Sequence, residues 1–481
     1  MAKVYGNTGR NARWTQEHRT WETVIVRDAD ESLISTLTLA TRWPFGFLAI
    51  SLLILAIVLL LTWKSPRAPL AVAVGASAGL QTAQLVNVHL YFFVVALWLV
   101  FGVGRQSRGH LRPGWSAVLM VCTGLLASTA LSGDLVNSRL LAVQLLLLAG
   151  ASACLIAFAD REDNRYLLLG LLATTTVASA AGVLQYLGVL PYEVYLGTDR
   201  PIGLYSEPDW LGMFTAVGLV IALHTRINRF RTALVILHVV ALLLSATRAA
   251  WLAVIVVGVV GYVVAKLSGK AKQAGPAPGR ARGAAVGLLL VVVMLAVSPT
   301  LRNSLQSRVE STFSSRPDVA VMARQQQNDA LFELEAQSPW HGLGLSASGR
   351  VGVSGRIDYI GAADNNVASN WMLGWWVDGG VLALPLILLF AGAALTRLTT
   401  TSGLLLSTVL FCSFFSNATL IPISWLALAL CLTRTTGSAG SAGRDSDQLG
   451  PRANHSRVLS RATDRGQPPT SPETVARGGG E

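Results

Sequence analysis

Charged side chains are scarce in this chain. They make up 13% of its 481 residues, about half the share of an ordinary soluble domain. Asp and Glu are nearly missing from the long apolar stretches, which excludes a solvated globular shell around one core. Lysine is rarer still, five residues against 33 arginines. Cysteine is limited to Cys122, Cys154, Cys412 and Cys431, all inside apolar runs and without metal-type spacing. That excludes a zinc site or a disulfide framework and leaves them as small packing residues. No short signal peptide is expected, because the first apolar run starts only near Trp43.

What is abundant is apolar sequence, 52% of the chain. A helix needs about 20 apolar residues to cross about 30 Å of hydrocarbon, and such segments recur along most of the length. Expected spans fall near 43–63, 68–104, 115–132, 139–159, 166–190, 209–225, 232–247, 249–266, 283–298, 371–395, 402–416 and 418–433. The fold class is therefore all-α, a polytopic transmembrane bundle. It divides into a polar N-terminal segment 1–42, membrane helices over 43–298, a long hydrophilic loop 299–370, C-terminal helices over 371–433, and a Gly-, Ser-, Arg- and Pro-rich tail 434–481 read as disordered.

The net charge of +12 would suggest nucleic acid in a soluble protein. Here the basic residues lie between apolar runs, where they hold loops in the cytoplasm. The stretch from Lys266 to Arg282 carries five basic residues and no acid. With it go Arg226 to Arg231, Arg161 to Arg165, Arg105 to Arg112, Arg397 and the C-terminal tail. Left outside are 133–138, 190–208, the turn near Arg248 and the loop 299–370, none of which contains a lysine. The stretch 68–104 is too long for one span and has a polar centre at Gln81, Gln84, Asn87 and His89. One crossing gives 12 spans and two give 13; the reading leans to 12, and both versions place the long loop outside.

Arginines on the outer side stand out. Arg200 lies in Thr198-Asp199-Arg200-Pro201-Ile202-Gly203, ahead of Glu207-Pro208-Asp209-Trp210-Leu211-Gly212. Arg248 sits between two apolar runs with no room for a loop. Such residues either snorkel to lipid headgroups or bind an anion, for which the planar, permanently charged guanidinium is suited. Within the long loop, Arg324 to Glu335 reads as an amphipathic helix. Next come Pro339-Trp340-His341-Gly342-Leu343-Gly344 and then Asp364 to Leu373. Asp378 is the one carboxylate well inside an expected span, facing a polar partner or marking a late helix start. Gln144, Gln185, His224 and His238 are expected only to hydrogen-bond neighbouring helices.

These blocks resemble the O-antigen ligase and polymerase family of membrane glycosyltransferases. Arg200-x-x-Gly203 and Pro208-Asp209-x-x-Gly212 are similar to its Arg-x-x-Gly and Pro-Asn-x-x-Gly, with Asp209 where Asn is common. Thr247-Arg248 is similar to its Ser/Thr-Arg turn. Pro339-x-x-Gly342-x-Gly344, Asn370-x-x-Leu373 and Asp378-x-Gly380 are similar to its loop and loop exit. Ser369 stands where the family usually has His, so the residue often regarded as the ligase base is replaced by a group that is not a base near neutral pH. His341, Asp364 and Asp358 remain as substitutes, His341 with a purely structural turn role as its other reading.

The resemblance implies a multi-pass protein of the bacterial inner membrane, its long loop extracytoplasmic and its C-terminus cytoplasmic. It implies glycan transfer from a polyprenyl-pyrophosphate-linked oligosaccharide to a glycan, lipid or wall acceptor, without a cofactor or metal and with no nucleic acid. Arg200, Arg248, Ser369, Asn370, His341 and Asp364 are the expected catalytic set. Arg324, Glu207, Asp209, Gly342, Gly344 and Asp378 are expected to bind substrate. The rival from another class is a transporter or flippase for a lipid-linked substrate. It would need ionisable groups near the midplane, and the apolar runs hold almost none.

Overall fold

A computed structural model describes residues 66–81, 83–85, 88–103, 114–131, 139–191, 200–224, 230–268, 319–352, 357 and 368–433. All of these lie in one compact unit, Met1–Arg434. The N-terminal segment 1–42, the expected spans near 43–63 and 283–298, and the tail 434–481 lie outside the described residues. The described residues are mostly helical.

The elements are α1 (Arg67–Ala78), a two-residue hairpin β1 (Gln84–Leu85) and β2 (Val88–His89), and α2 (Leu90–Leu97), which runs into a π-helical turn. Then follow α3 (Gly114–Leu131), α4 (Arg139–Phe158), α5 (Arg161–Tyr186), α6 (Pro208–His224), α7 (Arg231–Ser245) and α8 (Arg248–Leu267). Last come α9 (Val319–Glu335), α10 (Trp371–Gly379), α11 (Leu384–Thr396), α12 (Thr401–Cys412) and α13 (Pro422–Leu432). Among the described residues, five segments are long and apolar enough to cross a membrane by length and composition: Gly114–Leu131, Leu141–Phe158, Arg161–Tyr186, Arg248–Leu267 and Trp371–Thr396. The outer face of α8 is apolar throughout, exposing Leu252, Ile255, Val259 and Val263 at helical spacing. A helix apolar on both faces is suited to lipid rather than water.

The long stretch 68–104 folds as a helical hairpin. Its polar centre makes the antiparallel β1–β2 turn, Gln84 opposite His89, and His89 accepts from the Tyr91 N–H at 3.2 Å to cap α2. The chain reverses there and α2 packs back along α1. Arg67, at the start of α1, pairs with Asp163 at 2.6 Å and Asp160 at 3.0 Å. It therefore lies at the Arg161 end of the bundle.

Contacts sort the segments into two ends. At one end Arg67, Asp160 and Asp163 meet, with Asn164 bonded to Thr433 at 2.8 Å. Asp160 starts α5 with a capping box closed by Asp163. At the other end the loop after α5, the start of α6, the α7–α8 turn and α9 converge. The sequence groups these segments in the same way.

The expected single span 371–395 is broken. The Trp375 and Phe390 rings lie 5.4 Å apart, whereas 15 residues of straight helix would separate them by about 22 Å. The chain folds back at Gly379-Gly380, where Gly380 has a φ of 54°. So α10 lies over α11, with Trp371, Trp375, Phe390 and Trp425 fully buried between them and α13. Length and composition alone missed the break because the residues on both sides of it are apolar.

Candidate functional site

Helix α7 ends abruptly. Ala246 takes the left-handed conformation, φ 51°, and Thr247 is already the N-cap of α8. Two residues thus reverse the chain, leaving the last carbonyls of α7 without helical partners. Side chains fill them. The Trp251 indole donates to Leu242 O at 2.8 Å, and Arg200 Nε donates to Ser245 O at 2.7 Å.

Arg200 is held from three sides. Its Nη2 donates to Asp209 Oδ1 at 2.7 Å and to Thr247 Oγ1 at 3.0 Å. The Thr247 hydroxyl lies 3.1 Å from Pro208 O, tying the α7–α8 turn to the start of α6. Close approach here needs Gly212: a Cβ at that position would lie 2.5 Å from Thr247 Cβ. Gly212→Ala is therefore expected to push the turn away from Asp209 and lower activity about tenfold or more, at unchanged protein level. Normal activity of the alanine variant would show that this spacing is not needed.

Arg324 arrives from α9, and its Nη2 lies 3.6 Å from Asp209 Oδ2. The same guanidinium stacks over Phe415, 5.6 Å from the ring centroid. Asp209 thus sits between two arginines from separate elements. Arg200 is shielded and short-bonded, while Arg324 is more exposed and longer-bonded. Arg248 is half-buried at the first position of α8. A cation at a helix N-terminus opposes the helix dipole. Two arginines thus share one carboxylate, Asp209.

Ser369 reaches the same helix one turn further on. Its hydroxyl donates to Gln327 Oε1 at 2.5 Å, and the Gln327 amide donates to Val351 O at 3.1 Å. Asn370 does not face the arginines with its oxygen. It caps α10, accepting from the Leu373 N–H at 3.3 Å. Glu207 immediately precedes α6, its carbonyl accepting from Leu211 N at 3.4 Å. Asp358 and Asp364 lie outside the described residues.

The glycine motif and Asp378 form a second constellation, at the far end of α10. Asp378 is fully buried. Its carboxylate accepts from Ser348 N at 2.7 Å and Ser346 N at 3.2 Å. Leu343 N and Gly344 N donate to Val377 O and Asp378 O at 3.0 and 2.9 Å. Gly342 adopts φ 70°, and any Cβ there would collide with the Asp378 carbonyl. The Ser128 hydroxyl of α3 is bonded to the carbonyls of both His341 and Asp378. The His341 ring is exposed, lying 3.2 Å from Ser338 Oγ and 2.8 Å from its own Gly342 O. Through these contacts Asp378, Gly342 and Gly344 shape the 338–350 segment. Sequence reasoning missed Gln327 and Phe415, which carry no motif and are seen only once α9 is placed.

Residues 232–390 match the family model described as O-antigen ligase. The match runs from α7 into α11, so it takes in Thr247, Arg248, Arg324, Ser369 and Asp378, while Arg200 and Asp209 precede it. No curated protein matches the chain. With its apolar helices and the arginine-rich end that this region frames, the chain is similar over residues 232–390 to the O-antigen ligase family.

Proposed function

We propose that the protein transfers glycan from a polyprenyl-diphosphate carrier to an acceptor hydroxyl at the extracytoplasmic face of the bacterial inner membrane. The observation that carries this reading is the convergence of Arg200 and Arg324 on Asp209, beside the helix start that bears Arg248. In the reaction the acceptor oxygen bonds to the anomeric carbon and the bond from that carbon to the diphosphate oxygen breaks. The electron pair stays on the diphosphate. The arginines stabilise that growing charge, with Arg324 exchanging its long contact to Asp209 for the diphosphate. No metal is needed for this step, because guanidinium groups supply the charge.

The frame suits a lipid-linked donor. Helices α6, α7, α12 and α13 have 17, 15, 12 and 11 residues, so they rise about 16–26 Å against about 30 Å of hydrocarbon. Helices this short would leave the end they frame within reach of a carrier whose tail stays in lipid. Ser369, bonded to Gln327, is suited to holding an acceptor hydroxyl rather than taking its proton. We assign the proton to the long loop, where His341 and Asp364 are the groups to test. The carboxylate that a gradient-coupled transporter would use, Asp378, is engaged on loop backbone, which favours transfer over transport.

The test uses the purified full-length chain in liposomes, with lipid-linked glycan extracted from cells lacking its gene as donor. Release of polyprenyl diphosphate with extension or transfer of the glycan, in the absence of any ion gradient, is expected. Gradient-dependent movement of an unaltered donor would overturn the reading.

A further inference from the structure

Gln185 stands in the last turn of α5, 3% exposed. Each of its side-chain amide bonds goes to the backbone of the loop that carries Arg200. Oε1 accepts from Ile202 N at 3.1 Å and from Gly203 N at 2.7 Å. Nε2 donates to Gly203 O at 2.9 Å. The orientation of the amide is fixed by its partners, since the oxygen faces two donors and the nitrogen faces a carbonyl. One side chain therefore does for this loop what a neighbouring strand would do, pairing with its N–H and C=O groups in a buried place where water cannot.

The pinned residues are two and three positions from Arg200, which leaves little slack. Further along, the Tyr205 hydroxyl donates to Gly79 O at 3.2 Å, and its ring stacks on Phe214 at 4.5 Å. The loop is thus fixed beyond Arg200 at two points, one polar and one aromatic. Arg200 itself is bonded to the α7–α8 turn and to Asp209. Its guanidinium can meet all three partners only if its Cα is held at one height and distance from them. A displacement of about 1 Å at a reacting centre can cost about a hundredfold in rate.

From this geometry we propose that Gln185 is a positioning residue for transfer: it clamps the backbone of residues 202–203 and so sets where Arg200 presents its charge to the leaving group. The proposal rests on the diphosphate role assigned to Arg200 above. Gln185 itself does not need to touch substrate. Gln185→Leu keeps the size but removes every bond to the loop, and leaves two donors and an acceptor buried without partners. Gln185→Glu keeps the acceptor for the two N–H groups but sets a carboxylate oxygen against Gly203 O.

The experiment measures release of polyprenyl diphosphate by the full-length chain in liposomes, with the same extracted lipid-linked glycan as donor. Gln185→Leu is expected to lower kcat about thirtyfold or more while donor KM changes less than about threefold. Gln144→Leu is the control: Gln144 also makes an amide bond inside the bundle, part-buried, donating to Leu420 O at 2.6 Å, but it makes no bond to residues 202–203. It should lower kcat by no more than about threefold. The decisive arm is the double variant. In an Arg200→Ala background, Gln185→Leu should cause no further loss, because two residues acting through one group are not additive. An additive loss, or an equal loss from Gln144→Leu, overturns the positioning role and leaves Gln185 as general packing. If Arg200→Ala alone is fully active, the diphosphate role fails first, and that result is distinct from the other two. Should Gln185→Leu not accumulate, Gln185→Asn, one methylene shorter, is measured in the same cycle with the same criterion.

Discussion

Arg200→Ala is expected to lower transfer by two to three orders of magnitude while the protein folds and accumulates normally. Removing one preorganised donor from a developing oxyanion costs about 10²–10³ in rate. Arg200 is the best-fixed cation of the cluster, bonded to Ser245 O, Asp209 and Thr247 and largely shielded from solvent. Lysine will not substitute. Its ammonium has no second arm to hold Ser245 O while facing Asp209 and a diphosphate, so Arg200→Lys should keep less than about a tenth of the activity. Arg324→Ala is expected to fall less far and mainly in donor binding, since Arg324 is more exposed and its contact with Asp209 is long. The readout is polyprenyl diphosphate released per unit of folded protein. Activity of Arg200→Ala within about threefold of wild type would remove the diphosphate from this cluster.

Much of this arrangement was visible in the sequence, because hydropathy and charge mark where a chain enters and leaves an apolar layer. Helices α3 to α8 fall within a few residues of the expected spans. Arg200, Arg248 and Arg324 were grouped on one side by loop charge alone, and Arg200 and Arg324 indeed share one carboxylate. What was hidden depends on events that composition does not register. The fold-back at Gly380 needs one positive φ in a stretch apolar on both sides. The hairpin at Gln84–His89 needs strand pairing of only two residues. Asp378 looked like a site residue because a carboxylate among apolar residues is costly, and the expense is real. The structure meets it with two backbone N–H groups from a loop 30 residues earlier in the chain, a partner no local pattern announces. Gln185 carried the reverse signal: an uncharged amide near a helix end suggests ordinary helix packing, and its link to Arg200 exists only through the loop.

Asp378→Ala is expected to cost about 3 kcal/mol of stability, the other large effect. Deleting the carboxylate leaves the N–H groups of Ser346 and Ser348 buried without an acceptor, and each such group costs about 1–3 kcal/mol. The penalty falls on a segment already strained, because Ser346 holds φ 72° with a side chain attached. Loosening it frees the connection that runs from α9 to Ser348, whose hydroxyl accepts from Ala368 N at 3.3 Å beside Ser369. Asp378→Asn keeps one acceptor oxygen for Ser348 N but turns an N–H₂ toward Ser346 N, so about half the loss is expected. Thermal unfolding in detergent should therefore rank wild type above Asn above Ala. Transfer per folded molecule should stay within about threefold for Asn. A carboxylate that carried protons or gated transport would give the opposite pattern, with stability kept in the Asn variant and function abolished. That outcome would return Asp378 to the site and restore the transport reading, because an amide has the shape of the carboxylate but no charge to cycle.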